Sequence, residues 1–206
     1  MGNIETKEVA DESRSLLWRA KELFGYTVRA MDGEAGKIDD LYLNPKTWNV
    51  QAFVVDLGDW VLDTGEWTPG KKLFVPAAAF GQPNRETYVI SVNLTKDQVE
   101  QQPQLEVVQQ TDFTLYSIKT SLGYYIQAHD GEIGHLEDFI INDQNWMIRF
   151  MIINTSNWWL GKKVTVEPFL ISSINPQETL LHLRLSQETV KNSPEFDSSV
   201  LSNEQV

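Results

Sequence analysis

The chain has no cysteine among its 206 residues. Disulfides, thiol nucleophiles and cysteine-ligated zinc are therefore excluded, and cysteine usage is compatible with a reducing compartment. It has no excess of base. Formal net charge is −12, and the excess is shared evenly: 17 acids against 11 bases up to residue 108, and 12 against 6 beyond, so −6 in each half. Nucleic-acid binders display a basic patch or stripe, and phosphate repels an acidic surface. DNA is excluded as an expected partner, and RNA is disfavoured. No stretch approaches the roughly 20 apolar residues of a membrane span. The segment from Met1 to Leu17 is polar and has no apolar signal-peptide core. These absences point to a cytoplasmic protein.

What is present is a repeat. The run from Phe24 to Trp60, moved by 98 residues, lies on Leu122 to Trp158 without a gap, with 11 of 37 positions identical. Among them are Gly25/Gly123, Asp32/Asp130, Gly36/Gly134, Asp40/Asp138, Asn44/Asn142 and Trp48/Trp146. The offset then falls to 91, so copy one carries seven extra residues within Leu62–Pro69. Gly70-Lys71-Lys72 then falls on Gly161-Lys162-Lys163. A period this long is that of a small independent domain rather than a solenoid unit. The expected division is a flexible N-terminus (1–15), copy one (16–105), copy two (106–196) and a disordered tail (197–206). Domains of this size are marginal alone, so the copies are expected to pack together.

Each copy reads as short strands. Residues 15–23 suggest a lead-in helix. Asp32-Gly33 and Asp130-Gly131 are hairpin turns, because glycine tolerates positive φ. Asn44-Pro45-Lys46-Thr47 and Asn142-Asp143-Gln144-Asn145 are second turns. Strands are expected at 37–43, 48–57, 72–75 and 88–92, and at 135–141, 146–153, 164–166 and 180–185. Thr95 and Ser186 each cap a closing helix. Residues 103–112 read as a Gln-rich linker. Short strands with tight turns give an all-β fold, expected as two tandem barrels that close to remove their edges.

Gly25 to Val28, Asp32 to Asp40, Trp48 to Asp56 and Lys71 to Pro76 resemble the PRC-barrel domain family. Copy two resembles it through Asp130 to Asp138 and Gly161 to Val164. The resemblance implies a small β-barrel of a kind found in the cytoplasmic part of the photosynthetic reaction centre H subunit and at the C-terminus of a ribosome maturation factor. In both settings the barrel binds a partner and catalyses nothing. The implied function is a non-enzymatic scaffold or partner-binding module, docking on a protein complex at the cytoplasmic membrane face. The alternative is an RNA- or ribosome-linked binder. The family supplies no catalytic or cofactor residue.

Three groups of residues carry candidate chemistry. Asp39-Asp40 and Glu137-Asp138 lie on the return strands. No His or Lys partner recurs at both, so they read as a solvated strand face that blunts edge pairing rather than as an acid–base site. His129, His135 and His182 belong to copy two alone. Two histidines flanking one hairpin turn give a second alternative, a metal-binding protein. Trp67, Trp158, Trp159, Lys162 and Lys163 combine aromatics with cations, which suits a protein hot spot or a peripheral membrane contact. Trp60 and Trp158 share one repeat position and are assigned to packing.

Overall fold

The computed structural model describes residues 16–61, 66–68, 70–111, 115–155 and 162–201. A glycine-led hairpin starts each copy. In copy one, β1 (Leu17–Arg19) and the single-turn helix α1 (Ala20–Leu23) precede β2 (Thr27–Ala30), β3 (Gly33–Asn44) and β4 (Asn49–Asp56). The insert forms a hairpin of β5 (Asp59–Val61) and β6 (Glu66–Thr68), and the chain continues in β7 (Lys72–Pro76). A 3-10 turn (Ala77–Ala79) leads to β8 (Phe80–Asn84), β9 (Val89–Val92) and α2 (Lys96–Glu100). The expected linker is largely helical, as α3 (Leu105–Thr111), since Gln and Leu favour helix where no glycine interrupts. Copy two repeats the order with β10 (Tyr116–Ser117), α4 (Ile118–Ser121), β11 (Tyr125–Ala128), β12 (Gly131–Asn142) and β13 (Ile148–Asn154). Then come β14 (Lys163–Val166), a 3-10 turn (Pro168–Leu170), β15 (Ile171–Asn175), β16 (Leu180–Leu183) and α5 (Gln187–Lys191).

The all-β class holds. The two main sheets have the same order, β7-β4-β3-β2-β9-β8 and β14-β13-β12-β11-β16-β15. β2 with β9 and β11 with β16 pair in parallel, and the other neighbours on both paths are antiparallel. Among the described residues, neither copy closes into the expected barrel. The end strands β7 and β8, like β14 and β15, follow each other in the chain through a 3-10 turn but do not pair. Pro76 and Pro83 remove amide donors from both end strands of copy one, and Pro168 opens the turn in copy two. The closing helices stand as expected. Thr95 forms a capping box with Gln98, and the Ser186 side chain accepts from the Thr189 amide.

The lead-in strands are exchanged. β11 pairs with β12 only along Gly131–His135, so the far half of this 12-residue strand outruns its partner. β1, from the other copy, fills the vacant edge at Ile140–Asn142. Reciprocally, β10 pairs with β3 at Tyr42–Leu43. Each copy thus completes the other's sheet and covers an edge that would otherwise be exposed. The copies also meet through a two-fold pair of backbone hydrogen bonds. The Val50 amide donates to the Trp146 carbonyl, and the Ile148 amide to the Trp48 carbonyl, both at 2.8 Å. One continuous apolar core runs through both copies, with Phe53 against Trp146 across the seam at 4.8 Å between ring centroids.

Residues 197–201, expected to belong to a disordered tail, pack against the sheet of copy two, and residues 202–206 lie outside the described residues. Glu195 bridges to Val164, the Phe196 amide donates to the Lys163 carbonyl, and Leu201 buries with Leu17, Ile140 and Ile152. Two apolar anchors, Phe196 and Leu201, hold an otherwise polar segment.

Candidate functional site

The most polar part of the interior lies at the seam. On β12, Asp138 is fully buried and accepts from Arg19 Nε at 2.9 Å, the Lys21 amide at 3.2 Å and the Phe139 amide at 2.9 Å. On β3, Asp40 accepts from the Ser117 hydroxyl, the Lys119 amide at 2.9 Å and the Leu41 amide at 2.7 Å. Ser117 and Lys119 stand 98 residues after Arg19 and Lys21. Each aspartate therefore clasps the first turn of the helix that enters from the other copy. Burial raises both carboxyls above their ordinary value, against the hydrogen bonds that stabilise the ionised form.

The neighbouring acids hold the rim of the same clasp. Asp39 is salt-bridged to Lys72 and Lys119, both at 2.7 Å. Glu137 is salt-bridged to Lys163 at 3.1 Å, Arg19 at 3.6 Å and Lys21 at 3.9 Å. Burial pushes both acids up, but hydrogen bonds from Lys119 and Lys72 to Asp39, and from Lys163 and Asn154 to Glu137, outweigh it and leave both lowered. The expectation of a solvated strand face is thus corrected. Lysine partners do recur, as Lys72/Lys163 and Lys119/Lys21. They went unseen because half of them lie in lead-ins that pair across the copies. All four acids are thus engaged in the clasp between the copies.

The candidate residues divide as follows. Lys163 belongs to the Glu137 network, while Lys162 is exposed, with Glu195 at 3.9 Å. Trp67 lies on β6, in register with Trp60 on β5. Trp158 and Trp159 lie outside the described residues. His129 is exposed beside the hairpin turn, whereas His135 pairs with Tyr125, four residues down the strand and roughly 13 Å from it. His182 faces Gln127 on the parallel neighbour. Among the described residues no three His, Asp or Glu side chains converge as metal ligands would.

Among the concave regions that border the seam, two hold exposed or partly exposed aromatic rings. One, of about 290 Å³, is lined by Trp48, Ile148, Phe150, Pro168 and Phe169, with Arg149 and Glu167 beside them. Phe169 is 60% exposed there, on a 3-10 turn held by the Leu170 amide donating to the Glu167 carbonyl. The other, of about 460 Å³, lies against β10 and α4 on the opposite lead-in and is lined by tyrosines and hydroxyls. Sequence reasoning missed both, because each is built from segments that are far apart in the chain.

No curated protein matches the chain. The family model of the PRC-barrel domain matches residues 18–100. That span runs from β1 to the end of α2, and so takes in the whole first sheet path with its closing helix. The chain carries a PRC-barrel domain over residues 18–100.

Proposed function

We propose that the protein is a non-enzymatic scaffold that binds a protein partner through the groove at Trp48 and Phe169. The observation that carries this reading is a large exposed aromatic ring on a fixed turn, beside a second aromatic, at the place where two copies meet. Interfaces draw most of their energy from a few such anchors in a central patch. The charge balance supports a protein over RNA. Lys72 and Lys163 are tied to Asp39 and Glu137, so they are not free to meet phosphate. The finer form of the proposal is docking on a complex at the cytoplasmic face of a membrane. No helix among the described residues is long and apolar enough to cross one, so attachment would come through the partner or a peripheral contact.

The test is affinity purification from the native host with the wild-type chain and Phe169→Glu in parallel. Phe169 is exposed, so the variant keeps its fold. A partner recovered by the wild type and lost by the variant supports the reading, and co-fractionation of that partner with membranes supports the finer form. Equal recovery by both chains, or recovery confined to ribosomal fractions, would overturn it.

A further inference from the structure

The two-fold relation of the copies breaks beside the lead-in strands. On the copy-one side, β1 brings Trp18 onto β12, and the indole is fully buried. Trp18 Nε1 donates to Asp143 Oδ2 at 3.0 Å. Arg85 lies over the indole, with its guanidinium carbon 4.1 Å from the ring centroid. It donates to the Leu17 carbonyl at 2.7 Å and the Leu201 carbonyl at 3.1 Å, and Glu22 Oε2 lies 3.8 Å from the same guanidinium. Side chain and indole together fill the angle between the lead-in strand and the turn that follows β8.

Among the described residues, the counterparts leave this angle open. Tyr116 stands for Trp18, Pro176 for Arg85, Pro45 for Asp143 and Thr120 for Glu22. In place of the stack is the cavity of about 460 Å³, lined by Tyr42, Tyr116, Tyr124, Thr120, Ser121 and Pro176. Leu115, the counterpart of Leu17, borders it as well. The turns around the two positions share one form. Asn84 and Asn175 each accept backbone amides within their turn, and Tyr88 and Thr179 each take a left-handed φ, 54° and 52°. The backbone that presents Arg85 is therefore present at Pro176, and the long cationic side chain is what is missing.

We infer that this cavity is a binding site for an arginine side chain presented by a partner protein, seated against Tyr116 as Arg85 is seated against Trp18. A guanidinium is planar, stacks on aromatic faces and is weakly hydrated, which suits a site of rings, hydroxyls and carbonyls. The net charge of −12 draws cations toward the chain. The inference rests on the partner-binding reading but uses a different surface, and its test needs no partner.

The probe is N-acetyl-L-arginine amide, titrated into the full-length chain with ring-labelled tyrosine and followed by NMR. N-acetyl-L-lysine amide serves as a probe of equal charge. A saturable shift of the Tyr116 and Tyr124 ring signals is expected, with a dissociation constant on the order of millimolar for so small a ligand. The lysine probe should bind several-fold more weakly. Pro176→Arg supplies the guanidinium from the chain itself, and should abolish the shift and raise the melting temperature. Tyr116→Leu keeps the cavity wall apolar but removes the ring, and should weaken binding by roughly three- to tenfold. The inference is overturned by the absence of a saturable shift, by equal response to the lysine probe, or by an unchanged titration in Tyr116→Leu. A Pro176→Arg chain that folds and still binds also overturns it. In any of those cases the groove at Phe169 and its partner stand or fall on their own experiment.

Discussion

Asp138→Ala is the sharpest perturbation of the exchanged architecture. It removes the acceptor for Arg19, for the Lys21 amide and for the Phe139 amide at once. Removing one partner of a buried ion pair costs about 3–5 kcal/mol. Arg19 retains 27% side-chain exposure and can partly rehydrate, so the lower end applies, about 3 kcal/mol. For a chain of this size each kcal/mol shifts the melting temperature by about 2–4 °C, so a fall of roughly 6–12 °C is expected. Asp40→Ala is the internal control. Its partners are a hydroxyl and two amides, with no cation on the buried carboxylate. It should cost less, about 2 kcal/mol, from hydrogen bonds alone. Calorimetry decides. A single transition is expected in both variants, because one core runs through both copies. The reasoning fails if Asp138→Ala costs no more than Asp40→Ala, or if the wild type melts in two separate steps.

Opposite pH slopes are expected from the two kinds of acid. Asp40 is raised, so the stability it contributes is full below its ordinary value of 3.8 and is lost as pH rises through its folded value. Glu137 is lowered, so its contribution is present above 4.5 and is lost as pH falls through its folded value. Relative to wild type, Asp40→Asn should therefore improve and Glu137→Gln worsen as pH rises through the acid range, read by denaturant unfolding at a series of pH values. Gly134→Ala should cost about 1–3 kcal/mol, since φ is 143° and the added Cβ would run into the Asn154 carbonyl oxygen. Equal stability in denaturant would refute that close approach. Leu201→Ala should cost about 2 kcal/mol through lost burial against Leu17, Ile140 and Ile152. A tail that detaches without loss would leave the melting temperature unchanged.

The repeat, the Asp-Gly hairpins and both helix caps were legible because each is local: a spacing, a turn residue, a cap three residues from its donor. β8 and β15 were not. Phe80–Asn84 contains both glycine and proline, and Ile171–Asn175 has adjacent serines, so neither reads as a strand. A signal was nevertheless present. Asn44 and Asn142 open turns that end on left-handed Trp48 and Trp146, and Asn84 and Asn175 open turns of the same length that end on Tyr88 and Thr179. Taking those four as one turn would have placed a strand before each of them. The exchange had a weaker signal. Leu17/Leu115 and Lys21/Lys119 keep the offset of 98 across the lead-ins, which marks them as part of the repeat. Nothing in that offset says which sheet they join, because the pairing of Arg19 with Asp138 spans 119 residues and carries no local periodicity.

Joining two copies in one chain changes what symmetry can hold. In a dimer of identical chains every seam contact would occur twice, and a residue that fills one cavity would fill both. In the tandem chain the two sides are encoded separately. The aspartate clasps, the Trp48 and Trp146 backbone pair and the left-handed turns remain doubled, and each is needed on both sides to close the exchanged sheets. Arg85 over Trp18 is single, and so are the Phe169 ring and the tyrosine-lined cavity. Any one of these three could change without unpairing a strand. Surface that the fold does not require on both sides is where the two copies are free to differ. All three lie along the seam, where the sheet of one copy meets the lead-in of the other.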